Sequence, residues 1–206
     1  FLLNARKNLD WKNNSTDATL MSIILVYLHA KLGEGLSNQM RMTKSMGMNY
    51  SVEWWKDNGF SKPPEINPAE LIHKKIEWRY KKGMPNVTES AVVFGDSTIE
   101  LQEIANRAVN NDIRFKLLFT SPPYCSITDY HADQWLRLWM LGGKEMPTTI
   151  KEKHKGRFSD KDNYFELLDN VFSNSALMMA EESTIYVRTD KRKYTFETTL
   201  NILTKH

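Results

Sequence analysis

The run Phe115-Lys116-Leu117-Leu118-Phe119-Thr120-Ser121-Pro122-Pro123-Tyr124 decides the fold of this 206-residue chain. Its first residues are mostly apolar and of strand length. They lead into two prolines, which lack a backbone N–H and hold φ at about −65°. The residue before a proline is driven into an extended conformation. The run therefore predicts a strand that begins at Phe115 and ends in a stiff Ser-Pro-Pro-Tyr turn.

Strand and helix patterns alternate on both sides of this run. Upstream, 91–94 has the composition of a short buried strand and 98–108 has apolar residues at helical spacing, so that strand, helix and strand form a βαβ unit. Downstream, the pattern predicts a helix at 163–179, a third strand at 184–188 and a last helix near 196–203. This alternation is typical of an α/β fold with a parallel sheet.

The first part of the chain differs in kind, because its apolar residues have only helical spacing. Helices are predicted from Ser15 to about Leu32, near 52–55 and from Pro68 to Tyr80. We therefore expect a helical region over residues 1–88, either an insertion or a target-recognition part. Residues 89–206 are expected to form the α/β part.

The Ser-Pro-Pro-Tyr turn offers two hydrogen-bond acceptors at the end of its strand. Ligands of open α/β sheets bind outside the carboxyl ends of the strands. A planar amine at that point has two N–H bonds to donate, one to the Ser121 hydroxyl and one to the Pro122 carbonyl, and this bonding localises the nitrogen lone pair. Tyr124 offers an aromatic face on which an extruded base stacks. The alternative is a proline-stiffened strand end with Tyr124 as an ordinary core aromatic.

The segment from Thr120 to Tyr124 resembles the signature of S-adenosylmethionine-dependent DNA amino-methyltransferases, in which Asp, Asn or Ser precedes Pro-Pro and an aromatic residue. The Ser form is most similar to the cytosine-N4 branch, and adenine-N6 enzymes share the same tetrapeptide architecture. The resemblance implies a Rossmann-like methyltransferase sheet, incomplete in this chain, with S-adenosylmethionine as cofactor and DNA as partner. It implies that the catalytic residues are Ser121, Pro122, Pro123 and Tyr124.

A second resemblance lies at Gly95-Asp96-Ser97, directly after the strand predicted at 91–94. In the family, a Gly-Asp pair at this point lies beside the cofactor, and its acidic side chain reaches the adenine of the methyl donor. The resemblance implies that Gly95, Asp96, Ser97 and Thr120 bind the cofactor. Without it, the same three residues form a strand-to-helix turn in which Asp96 or Ser97 caps the helix.

Several polar segments are candidates for contacting nucleic acid. Asp129, Tyr130, His131 and Gln134 follow the tetrapeptide and precede an apolar helical face, so they are candidates for substrate contact. The basic loop at 144–158 is a candidate phosphate-facing surface, and the basic segment at 74–82 interleaves cations with Trp78 and Tyr80. For both basic segments a solvated surface is the alternative.

Composition restricts the possible functions only mildly. The net charge of +3 permits a nucleic-acid partner without identifying one. The single cysteine, Cys125, excludes an internal disulfide and a thiolate cluster, and the five histidines show no metal-ligand spacing, so no metal is expected. Cys125 directly follows the tetrapeptide, which raises a covalent cytosine-C5 mechanism as an alternative, but we expect it to be a neighbour of the catalytic residues rather than a nucleophile. With no signal or long apolar segment, we expect a cytoplasmic protein without membrane contact.

The chain also departs from the family pattern. It has no strand-linked Gly-x-Gly loop for the methionine end of the donor, and only three strands are predicted. We therefore expect a fragment of a larger polypeptide, whose partners include its other parts or other subunits. DNA amino-methylation, within a restriction or phage-defence system by analogy, is the expected function. The alternatives are a catalytically silent nucleic-acid-binding or scaffold subunit, and methylation of RNA or of a protein glutamine.

Overall fold

The structure, a computed structural model, describes residues 1–30, 33–37, 47–62, 65–84, 90–126, 130–146 and 156–206, without the side chains of Tyr130 and His131. The chain forms two compact units. The first consists of Phe1–Val87 with Asp129–Thr149, and the second consists of Thr88–Thr128 with Ile150–His206. The segment that follows the tetrapeptide thus groups with the N-terminal helices.

The described part of the first unit is helical. Its helices are α1 (Leu2–Asn8), α2 (Ser15–Tyr27), α3 (Met48–Asp57), α4 (Pro68–Tyr80), α6 (Tyr130–Asp133) and α7 (Trp135–Met140). The Asn14 side chain caps α2 by accepting from two backbone amides, and Asn67 caps α4 in the same way ahead of Pro68. The buried cluster of this unit contains Ala5, Met21, Ile23, Ile24, Tyr27, Leu28, Ile72 and Met140.

Helix α2 is shorter than the sequence predicts, because it ends at Tyr27 rather than near residue 32. The amides of Leu36 and Ser37 donate to the carbonyls of Tyr27 and Leu28, at 2.9 and 3.1 Å. These bonds satisfy carbonyls that the end of a helix leaves unpaired. The predicted helix at Pro68–Tyr80 is confirmed with the same bounds.

The second unit contains a parallel pair of strands with helices. Its elements are α5 (Ser97–Asn110), β1 (Phe115–Thr120), α8 (Lys161–Leu177), β2 (Met179–Val187) and α9 (Lys193–Lys205). Strands β1 and β2 pair in parallel, with Leu118 opposite Ile185 and Thr120 opposite Val187. Leu118 and Val187 pack against the buried cluster of Cys125, Tyr164, Leu168, Phe172 and Ile202. The cluster thus contacts the strand that precedes the tetrapeptide and contains the residue that follows it.

The strand predicted at 91–94 is wrong for the described residues, which pair only β1 with β2. Val92 and Phe94 are almost fully exposed, at 97% and 102%. A segment with strand-like composition becomes a strand only when another strand accepts its hydrogen bonds and its apolar side chains are covered. Neither condition is met at 91–94, so the predicted βαβ unit reduces to α5 followed by β1.

The other predicted elements of this unit are confirmed within a few residues at each end, except that β2 begins five residues earlier than predicted. The coarse fold class is therefore confirmed as a mixture of helices with a small parallel sheet. Among the described residues, none of the helices has the length and apolar character that crossing a membrane requires.

Candidate functional site

The tetrapeptide lies at the carboxyl end of β1, where the sequence predicts it. The strand ends at Thr120, whose carbonyl accepts from the Arg188 amide at 2.9 Å, so pairing with the chain after β2 continues to the last residue before the turn. Ser121 is exposed, whereas Pro122, Pro123 and Tyr124 are half-buried. The first residue of the turn is therefore exposed to solvent, and the three residues after it are partly buried.

The two proposed acceptors are open to a ligand in the described structure. The Ser121 hydroxyl oxygen lies 3.5 Å from the Tyr124 hydroxyl oxygen, at the outer limit of a hydrogen bond. Within the described residues, no protein group donates to the Pro122 carbonyl. Tyr124 belongs to neither of the two buried clusters. The core aromatic near this turn is instead Tyr164, which is 0% exposed.

The turn and the two residues after it are held by four hydrogen bonds to other parts of the chain. The Tyr164 hydroxyl donates to the Pro123 carbonyl at 3.0 Å, and the Arg192 guanidinium donates to the Cys125 carbonyl. Ser126 adds two bonds, one from its amide to the Phe158 carbonyl at 2.7 Å and one from its hydroxyl to the Ser159 carbonyl at 3.1 Å. The partners in these bonds come from three separate places along the chain, namely Phe158 with Ser159, Tyr164 and Arg192.

Cys125 is packed into the core directly after the Ser-Pro-Pro-Tyr turn. Its side chain is 5% exposed and forms part of the same cluster as Tyr164. A thiol that attacks a base must reach that base, and this one faces the protein interior. The structure therefore favours Cys125 as a neighbour of the turn rather than as a nucleophile.

Asp96 is the N-cap of α5, as the alternative interpretation of the Gly-Asp-Ser segment predicts. Its carboxylate accepts from the Thr98 amide at 3.0 Å and from the Thr98 hydroxyl at 2.8 Å. It also accepts from the Arg157 guanidinium at 2.6 and 2.9 Å, and Arg157 donates to the Thr98 hydroxyl as well. These bonds, those from Arg157 above all, hold the pKa of the Asp96 carboxyl well below its usual range.

The other candidate cofactor residues are placed differently. Gly95 is exposed, and a Cβ at its position would meet the flexible end of the Glu100 side chain, which is free to move aside, so the described contacts do not require glycine there. Ser97 is exposed as the first residue of α5, and Thr120 is half-buried at the end of β1. The carboxylate expected to reach the donor's adenine is thus already engaged by Arg157 and Thr98.

Some predicted contact residues cannot be placed against the turn. Asp129 and the basic residues at 151–155 lie outside the described residues, as do the side chains of Tyr130 and His131. Gln134 lies in the first unit, where its side-chain oxygen accepts from Arg137. Arg157, expected to face phosphates, instead pairs with Asp96.

Sequence reasoning missed Tyr164 and Arg192, the two side chains that hold the turn. A signal for Tyr164 exists, because it lies four residues before Leu168 and eight before Phe172 and so shares the buried face of α8. No pattern in the sequence points from Arg192 to the carbonyl of Cys125, which is 67 residues earlier.

Comparison of the chain with protein-family models, with curated proteins and with solved structures gives no match. The resemblance to the amino-methyltransferases therefore stays a prediction that rests on the short motifs themselves.

Proposed function

We propose that this chain belongs to an S-adenosylmethionine-dependent methyltransferase that acts on an exocyclic amine of a DNA base, with cytosine N4 favoured over adenine N6. The observation that carries the proposal is the exposed Ser121 hydroxyl at the end of a parallel strand, next to a Pro122 carbonyl to which no described protein group donates. Two acceptors in sequence at a strand end match the two N–H bonds of a base amine. The Rossmann-like sheet is part of this proposal.

In this reaction the residues of the turn orient and activate the amine. The lone pair of an exocyclic amine is delocalised into its ring, which makes the nitrogen a poor nucleophile. Hydrogen bonds from its two N–H groups to Ser121 and Pro122 keep electron density on the nitrogen and hold it in place. The half-buried ring of Tyr124 offers a face for the extruded base.

S-adenosylmethionine supplies an electrophilic methyl group on a sulfonium. The substrate side of the proposed site fits the chemistry as it stands. On the donor side, an adenine amino group competes with Arg157 for the Asp96 carboxylate. We therefore assign the chain's residues a role in binding and orienting the amine.

A second candidate is a catalytically silent subunit that binds nucleic acid. It is favoured by the Asp96–Arg157 pair and by helix α4, where Lys74 and Arg79 are exposed together with Trp78, which is 70% exposed. Exposed cations with an exposed aromatic are typical of a surface that contacts phosphates and bases.

The two candidates differ in what becomes methylated. Full-length protein incubated with S-adenosylmethionine labelled in its methyl group and with mixed-sequence DNA is expected to transfer label to the DNA. Digestion to nucleosides then separates N4-methylcytosine from N6-methyladenine. Label on RNA or protein, or no label while the donor binds normally, would overturn the DNA proposal. DNA binding without any transfer would support the silent subunit.

A matched pair of serine variants tests the role of the turn. Ser121→Ala is expected to lower the transfer rate by about 10-fold or more, because one of the two acceptors is lost, and to leave donor affinity unchanged. Ser173→Ala is the control, since among the described residues the Ser173 hydroxyl bonds only to the Asn170 carbonyl within α8. Equal rates in the two variants would remove Ser121 from the site.

A further inference from the structure

The protein is able to hold the backbone of Pro123 by a hydrogen bond at one group only, its carbonyl. A proline has no backbone N–H, so its carbonyl is its only backbone hydrogen-bonding group. In Pro122-Pro123, two consecutive residues have this restriction. The Tyr164 hydroxyl donates a hydrogen bond to the Pro123 carbonyl at 3.0 Å, and no described group donates to the Pro122 carbonyl.

Tyr164 is well suited to hold this carbonyl rigidly. Its side chain is 0% exposed and is packed with Leu168, Phe172 and Ile202, so its ring has little freedom to move. Burial raises the pKa of Tyr164 to about 12. The hydroxyl therefore keeps its proton at neutral pH and acts as a donor to Pro123.

We propose that Tyr164 is a positioning residue for the catalytic turn, which it holds through the Pro123 carbonyl so that the Pro122 carbonyl and the Ser121 hydroxyl are presented together to the amine. This inference rests on the proposed function. It assigns the two carbonyls of the Pro-Pro pair opposite roles: one is bound by the protein core, and the other is left for the substrate.

The physical reason lies in the short covalent link between the two carbonyls. Fixing the Pro123 carbonyl fixes the end of a chain segment whose two φ angles are already set by the proline rings. The remaining freedom of the Pro122 peptide is small, so its oxygen is held in one direction. A displacement of about 1 Å at a group that orients a substrate costs about 100-fold in rate.

The structure provides a matched control for Tyr164. Tyr194 lies in contact with the same cluster, with ring centroids 6.2 Å from Tyr164, and its hydroxyl donates to the Lys161 carbonyl at 2.7 Å. Tyr164→Phe and Tyr194→Phe each remove one hydroxyl that donates to a backbone carbonyl and keep the ring. Only the first removes a bond to the catalytic turn.

In full-length protein, Tyr164→Phe is expected to lower kcat for DNA methylation by about 10- to 100-fold, with KM for S-adenosylmethionine within about twofold of the wild type. Tyr194→Phe is expected to leave both values within about twofold. A purely structural role of the Tyr164 hydroxyl would lower the melting temperature of Tyr164→Phe without this selective loss of kcat. Equal kcat in the two variants would overturn the proposal.

Amide hydrogen exchange separates failure of this inference from failure of the proposed function. The Ser126 amide, which donates to the Phe158 carbonyl at 2.7 Å, reports on the turn without any reaction. It is expected to exchange about 10-fold faster in Tyr164→Phe than in Tyr194→Phe. If the wild type is inactive but the two variants exchange at different rates, methylation is overturned and Tyr164 is supported as the residue that holds the turn. Equal exchange in the two variants would overturn the role of Tyr164 even in an active enzyme.

Discussion

The ion pair between Asp96 and Arg157 is expected to contribute measurably to stability. Arg157 donates to both carboxylate oxygens of Asp96, at 2.6 and 2.9 Å, and the side chains of Arg157 and Asp96 are 21% and 22% exposed. A hydrogen bond to a charged group contributes about 1.5–3 kcal/mol, whereas a fully exposed pair contributes less than about 1 kcal/mol. At one-fifth exposure, we expect Arg157→Ala to lower the free energy of unfolding by about 1–3 kcal/mol.

Variants at Asp96 separate the ion pair from the helix cap. Asp96→Ala removes both the pair and the N-cap of α5, and a lost cap costs about 1 kcal/mol more. Asp96→Asn keeps a good cap acceptor but loses the charge. The expected order of destabilisation is therefore Asp96→Ala first, with Arg157→Ala and Asp96→Asn smaller and similar to each other.

Urea unfolding at pH 7 of the two alanine variants and of the double variant measures the coupling directly. We expect a coupling free energy of about 1–2 kcal/mol for this pair. Asp96 has a pKa below its ordinary value of 3.8, so its contribution is present above pH 3.8 and is lost as the pH falls through its folded-state pKa. The coupling is thus the same at pH 7 and pH 5. A coupling of zero at pH 7 would refute this reasoning.

The same variants test the cofactor assignment. If Asp96 accepts from the donor's adenine, Asp96→Ala weakens binding of S-adenosylmethionine several-fold or more. Arg157→Ala leaves binding unchanged or tightens it, because the competing guanidinium is gone. Calorimetric titration measures both affinities. Equal affinity in all variants would remove Asp96 from the cofactor site.

Two further predictions concern His29 and Tyr124. His29 is 2% exposed, its Nε2 has no partner among the described residues, and burial, with a smaller contribution from Arg137, lowers its pKa from 6.5 to about 4. As the pH falls, the histidine of the unfolded chain is protonated before the buried one. The free energy of unfolding is therefore highest above pH 6.5 and falls by about 3 kcal/mol toward pH 4. Urea unfolding of His29→Gln should show a flatter pH profile. Tyr124→Ala is expected to slow methyl transfer by about 10- to 100-fold, and Tyr124→Phe should retain most of it, because the ring makes the stacking contact. Since Tyr124 is only half-buried, its alanine variant should lose less than the 3–5 kcal/mol typical of a buried aromatic, and a larger loss in thermal unfolding would show that the residue is structural.

The local elements of this protein are predictable from its sequence because their causes are local. The Pro-Pro pair ends β1 through its own backbone restrictions, and the spacing of apolar residues predicts α5 and α8. The cap at Asp96 is also predictable, since a carboxylate before a helix accepts from amides two or three residues ahead. By the same reasoning, composition alone is insufficient at 91–94, because a strand needs a partner that composition does not supply.

The sequence by itself determined helices α4, α5 and α8, strand β1 and the stiff turn that presents Ser121, since each depends on residues a few positions apart. Only the tertiary structure decided which carbonyl and hydroxyl groups of that turn are bonded by the protein and which are left for a ligand. Tyr164 reaches the Pro123 carbonyl across 41 residues, and Arg157 reaches the Asp96 carboxylate across 61. Hydrogen bonds over such separations form only after helices pack around a common core, because the packing brings donor and acceptor together.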